Sequence, residues 1–150
     1  MLASPFIAFL HFVFAFGIAA TLVYEWLTFS RTPTLREAQG LARADRWYGA
    51  FAGGLLAVGL LRVFYFEKGL DFYMATPFFH LKLTLFVLIG LLSIYPTLTF
   101  ARWKSALKAG QAPQVSEAQH RLVSRLLGLQ MLLLAGVVLS ASLMAKGVRF

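Results

Sequence analysis

The chain has 150 residues, of which 59% are hydrophobic and 13% charged, with 14 Lys and Arg against 6 Asp and Glu and a net charge of +8. Soluble domains run at roughly 45–50% apolar and about 25% charged, so this composition leaves too little polar surface to cover a water-soluble globule. Cysteine is absent, which excludes disulfides, thiolate nucleophiles, iron–sulfur clusters and cysteine-based zinc sites.

The first apolar run covers residues 5–29 and holds only His11 and Glu25 as groups that charge near neutral pH. It is too long for the apolar region of a signal peptide and no Lys or Arg precedes it, so it reads as a retained span. Residues 30–46 form a polar connector, with Arg31, Arg36, Arg43 and Arg46 set against Glu37 and Asp45. The second span covers 47–66 and is interrupted only by Arg62. A short segment with Lys68 and Asp71 ends at Pro77, a residue suited to the first turn of a helix. The third span covers 78–100; Pro96 within it removes one helical hydrogen bond, and Ser93 is expected to satisfy the freed carbonyl. A second basic connector, 101–121, carries Arg102, Lys104, Lys108 and a turn at 110–113. The fourth span covers 122–145, before a tail with Lys146 and Arg149. Each run is long enough to cross a bilayer. The expectation is an all-α, integral membrane four-transmembrane-helix bundle, one membrane domain over residues 1–150 with the lipid bilayer as its solvent.

The basic residues decide orientation and argue against nucleic acid. Arg31, Arg36, Arg43, Arg46, Arg102, Lys104, Lys108 and Arg121 lie in the first and third connectors; Lys68, Lys146 and Arg149 lie on the other side. Charges placed in short connectors are topology determinants and not a groove-facing surface. The positive-inside rule then puts both termini outside, on the face away from the cytoplasm. Trp26, Trp47 and Trp103 flank the basic connectors, as interfacial anchors do. In the second span Gly49, Gly53 and Ala57 recur every four residues, beside Ala50 and Gly54. Such a stripe lets backbones approach closely, within the bundle or in a homo-oligomer.

Ionisable groups inside a membrane are expensive and usually face a bundle interior or a wet cavity. His11 lies about two turns from the outer end of the first span, Arg62 about one turn from the outer end of the second, and His80 and Lys82 open the third. All four fall on the outer half. An imidazole within a bundle, with no cysteine and few acids nearby, suits haem iron. His11 is the first candidate ligand and His80 the second, with Arg62 and Lys82 placed for haem propionates, for a quinone or for a porphyrin carboxylate. The plain alternatives stay open: a histidine bonded to a neighbouring helix, and cations that snorkel to the interface. His80 and Lys82 are two residues apart, roughly 200° around a helix, so they share one cavity only if the helix starts after His80. Zinc or copper wants three or four matched ligands, which two histidines do not supply. Glu25, fourteen residues after His11 and on the same face, is expected to pair with Arg43, Arg46, Arg121 or Arg125, or else to relay protons. His120 is expected in solvent.

The stretch Phe79-His80-Leu81-Lys82, the later Ala101-Arg102-Trp103-Lys104 and the lead from Ser116 to Arg125 into the last span resemble the HemJ-type protoporphyrinogen oxidases, small four-helix bacterial membrane proteins. That resemblance implies a bound haem b, with His11 matching an early histidine and His80 and Lys82 matching a His-x-Lys-like element. It fails near the end of the first span, where Glu25-Trp26 stands in place of a Pro-Arg pair. The run Ser93-Ile94-Tyr95-Pro96-Thr97 looks more like a related group of uncharacterised bacterial predicted membrane proteins. The reading that follows is a haem b protein of the inner membrane acting in electron transfer or oxidation linked to quinone, its enzyme version porphyrinogen oxidation. The contrasting reading is a haem-free accessory or small-solute or ion transport protein; the lack of an evident inverted repeat argues against a self-contained transporter.

Overall fold

The computed structural model describes residues 3–66 and 70–148, with the side chain of Phe66 excepted. Lys68 and Arg149, two of the cations counted for orientation, lie outside the described residues. In chain order the elements are α1 (Ala3–Thr28), α2 (Leu35–Leu61), a π-helical turn (Arg62–Phe66), α3 (Leu70–Met74), α4 (Pro77–Arg102), α5 (Lys104–Lys108) and α6 (Glu117–Ala145). Among the described residues, four helical stretches are long and apolar enough to cross a membrane, and there is no strand. The protein is therefore an all-α, four-helix membrane protein.

Local chemistry sets the helix starts. Thr34 accepts the backbone N–H of Glu37 at 3.2 Å while the Glu37 carboxylate accepts the N–H of Thr34 at 3.2 Å, a reciprocal capping box. It starts α2 at Leu35, twelve residues before the apolar run at Trp47, so most of the expected first connector is helix. Pro77 opens α4 as expected, and Ser116 caps α6 by accepting the N–H of Gln119 at 3.1 Å. The second connector is also partly helical, through α5, and turns at Gly110, whose φ of 72° lies in the left-handed region that glycine adopts without penalty.

The helices form two antiparallel hairpins. In the first, Gly59 of α2 faces His11 of α1, Gly54 faces the ring of Phe14, the ring of Phe51 covers Gly17, and the Tyr24 hydroxyl reaches Gly40. In the second, Leu85 of α4 packs on Gly136 of α6. Contacts of α1 with α6 and of α2 with α4 close the ring, leaving α1 and α4, and α2 and α6, on its diagonals. The small-residue stripe divides. Gly54 packs inside the bundle, whereas Gly49 and Gly53 face outward, where a methyl group in place of either glycine's hydrogen would meet nothing within 4 Å.

Burial is uneven along the bundle axis. The connector end holds Leu22, Phe29, Ala38, Leu41, Phe100, Trp103, Val115, Val123 and Leu127 in one closed core. In α1 the buried residues begin only at Ile18, and Phe6, Phe9, Phe12 and Phe16 are exposed. Of the three tryptophans expected as interfacial anchors, Trp26 and Trp47 are exposed, whereas Trp103 is 5% exposed and belongs to the core.

Candidate functional site

Buried polar residues sit in register with the apolar faces just described. On α1 the inward positions are Ile18, Leu22 and Glu25, spaced four and three apart. On α2 they are Ala38, Leu41, Asp45 and Tyr48, and on α6 Val123, Leu127 and Gln130. α4 adds Thr97 beside the buried Pro96. The 3.6-residue period that buries leucine on each helix thus carries one or two polar groups into the same layer.

The layer is bonded across helices. The Tyr48 hydroxyl donates to Gln130 Oε1 at 2.9 Å, across one diagonal of the ring. The Thr97 hydroxyl donates to Asp45 Oδ1 at 2.9 Å, joining α4 to α2. Ser93 lies within hydrogen-bonding reach of Tyr48; its own hydroxyl donates to the Gly90 carbonyl at 2.6 Å. The expectation that Ser93 satisfies the carbonyl freed by Pro96 is therefore corrected: that carbonyl belongs to Leu92, four residues back.

Glu25 is 1% exposed, and its carboxylate lies close enough to Asp45 and Tyr48 for each to act on it electrostatically. Its Oε1 has no hydrogen-bond partner, and neither has the Nε2 of Gln130, also 1% exposed. One open acceptor and one open donor are thus sealed in the same layer. The ion pair expected for Glu25 is not formed. Arg43, Arg46, Arg121 and Arg125 are all exposed, and the pair recorded for Arg121 is with Glu117 of its own helix, at 3.3 Å. Long arginine stems let the guanidinium reach water and leave Glu25 behind.

An aromatic plug closes the connector side of this layer. Phe29, one turn beyond Glu25, stacks on Trp103 at 6.3 Å and 16° and on His120 at 5.4 Å and 18°, and meets Phe100 edge-on at 5.8 Å. The expectation that His120 lies in solvent is corrected: it is half-buried, because Phe29 offers its ring face to the first turn of α6.

The residues expected at the other end are placed separately. His11 is half-buried on α1, with its ring 3.9 Å from a methyl position at Gly59. Arg62 is half-buried at the start of the π-helical turn that follows Gly59, and that turn touches α1. His80 is exposed, and its Nε2 bonds the Met74 carbonyl at 2.8 Å. Lys82 is half-buried with its ammonium 5.7 Å from the centre of the Phe79 ring. His11 and Arg62 therefore share one end of the first hairpin; His80 and Lys82 belong to α4, across the diagonal. Among the described residues no three His, Asp or Glu side chains gather as metal ligands. An open apolar groove of about 520 Å³ runs between α1 and α6, lined by Ala19, Val23, Met131, Leu134 and Ser142 among others.

Sequence reasoning found Glu25 but missed Asp45, Tyr48, Thr97 and Gln130. The signal for Asp45 and Tyr48 was present: they continue the spacing of Ala38 and Leu41, while Arg36, Arg43 and Arg46 fall between those positions.

No curated protein and no solved structure matches the chain. Of the two resemblances carried by the sequence, nothing ties the chain to the HemJ-type enzymes. The model of the family described as "Predicted membrane protein (DUF2214)" matches residues 3–149, and the chain belongs to that family.

Proposed function

We propose that the protein takes up and releases a small cation at its buried polar layer, the ion-handling version of the transport or accessory reading. The observation that carries this reading is the Glu25 carboxyl, buried beside Asp45 with an open oxygen and, among the described residues, with no cation paired to it. Ionisable groups inside a membrane protein are costly and mark ion and proton pathways. Here four helices each supply a polar side chain to one layer. Binding to the folded state alone raises stability, by about 2.7 kcal/mol at a ligand concentration one hundred times Kd. The thermal midpoint in detergent is therefore expected to change with at least one of proton, sodium, potassium or magnesium concentration, and this dependence is expected to vanish in Glu25→Gln/Asp45→Asn. A midpoint indifferent to all four overturns the reading.

The second reading is a haem b protein in electron transfer or oxidation, with quinone or a porphyrin as partner. It is supported by His11, a half-buried imidazole against Gly59, where the missing side chain leaves room beside the ring. Arg62 at the same end suits an anionic group of haem. His80 fits a second ligand less well, because its Nε2 is engaged by Met74. Protein purified after haem is supplied during expression is expected to show a haem spectrum that His11→Ala loses. Wild-type protein with no haem absorption ends this reading and leaves the first one standing.

Both readings take the protein to lie in a bacterial inner membrane with periplasmic termini, which puts the polar layer near the cytoplasmic face. Reporter fusions at the carboxy terminus and in the loop after α5 are expected to report opposite sides. A cytoplasmic carboxy terminus reverses that placement.

A further inference from the structure

We infer that the cation taken up by the polar layer is a proton, one proton shared by Glu25 and Asp45 and resting on Glu25. The inference depends on the ion-handling reading above, and it names the ion. Two buried carboxylates with no cation paired to them among the described residues would together place two negative charges in the bundle interior, and one bound monovalent cation halves that charge. The neighbouring groups discriminate between a metal ion and a proton. A metal ion needs lone pairs, several at once and in matched geometry. The layer does not gather them: among the described residues no three His, Asp or Glu side chains come together, and Gln130 has given its oxygen to the Tyr48 hydroxyl, so that what it leaves open is an N–H. A proton needs a single carboxyl oxygen, and Glu25 Oε1 is open.

The asymmetry of the pair locates the proton. Asp45 accepts a hydrogen bond from Thr97, which stabilises its ionised form. Glu25 is more deeply buried, 1% against 8% exposed, and the Oε1 of its carboxyl accepts none. The carboxyl neighbour of Glu25 is Asp45 of α2, and Tyr48 of α2 lies within its electrostatic reach; Asp45 is in turn held by Thr97 of α4, and Tyr48 by Gln130 of α6. The arginines on the same helices, Arg43, Arg46, Arg102, Arg121 and Arg125, are exposed. Charge is conserved in the step: a proton arriving at Glu25 converts a dianionic pair to a monoanionic one, and its departure to water restores the pair.

The test is infrared difference spectroscopy of the full chain reconstituted in phosphatidylcholine vesicles, after pH jumps at fixed salt and after sodium, potassium or magnesium additions at fixed pH. The expected result is a carboxylic-acid C=O band at neutral pH that bleaches when the pH is raised, does not respond to the metal ions, disappears in Glu25→Gln and persists in Asp45→Asn. Both substitutions keep size and shape, and helical circular dichroism confirms that each variant is folded. If carboxylate bands move with a metal ion and no acid band exists, the proton assignment is wrong and the ion-handling reading survives. If the acid band persists in Glu25→Gln and disappears in Asp45→Asn, the proton rests on Asp45 and the assignment to Glu25 is wrong. If nothing responds to pH or to any of the metals, both fail.

Discussion

Glu25→Leu is expected to make the protein more heat-resistant in detergent, by a few degrees, while abolishing the dependence of its stability on pH or cations. Glu25 is 1% exposed, its Oε1 is unbonded, and Ile18 and Leu22 precede it on the same inward face. A buried acceptor left unsatisfied costs about 1–3 kcal/mol. Leucine has a similar volume and carries no polar atom, and replacing buried ionic groups by well-packed apolar ones is often neutral or stabilising. For a chain of this size each kcal/mol moves the midpoint by roughly 2–4 °C. Asp45→Leu is expected to do the opposite, because it strips the Thr97 hydroxyl of its acceptor. Opposite signs at two neighbouring carboxyls distinguish a group kept for function from one that also holds helices together. Thermal unfolding followed by tryptophan fluorescence reads both. A fall in midpoint for Glu25→Leu as large as that for Asp45→Leu would mean that Glu25 is a structural partner, and the functional reading of its open oxygen would lose its basis.

What was legible in the sequence follows from where the information sits. Span length and order are properties of apolar runs, and these located four helices. Their ends were less legible, because hydropathy stops at Trp47 while helical hydrogen bonding continues back to the Thr34–Glu37 capping box. That misplaced Asp45, which counts as a connector residue by hydropathy and as a core residue by helical phase. Glu25 was legible as an oddity, but charge complementarity alone assigned it the arginines at its depth. Those arginines lie on exposed faces, and depth without azimuth does not make a contact. Gln130 and Thr97 were missed because they carry no charge; their role depends on which helices meet, and a single chain of letters does not show that. His11, Arg62, His80 and Lys82 were legible as positions near one end, but the sequence did not reveal that His80 turns back to Met74.

The larger loss of stability is expected at Phe29. This ring is 6% exposed and touches three others, Phe100, Trp103 and His120, so it ties α1 to α4 and α6 at the connector end. Truncating a buried phenylalanine to alanine costs about 3–5 kcal/mol, through lost contacts and the cavity left behind. Phe16→Ala on α1, the helix that Phe29 directly follows, is the matched control: its ring is 72% exposed and contributes to no buried layer. Phe29→Ala is therefore expected to lower the thermal midpoint far more than Phe16→Ala. A second consequence separates plug from simple packing. Phe29 lies one turn beyond Glu25 on the connector side, so its removal is expected to admit water and to speed labelling of Glu25 and Asp45 by a water-soluble carbodiimide. Phe16→Ala is expected to leave that rate unchanged. If Phe29→Ala is no more damaging than Phe16→Ala, the ring stack does not hold the connector end. If it destabilises the protein but leaves the carboxyls as unreactive as before, then the polar layer is shielded by the helices themselves, and ions must reach it from the opposite end.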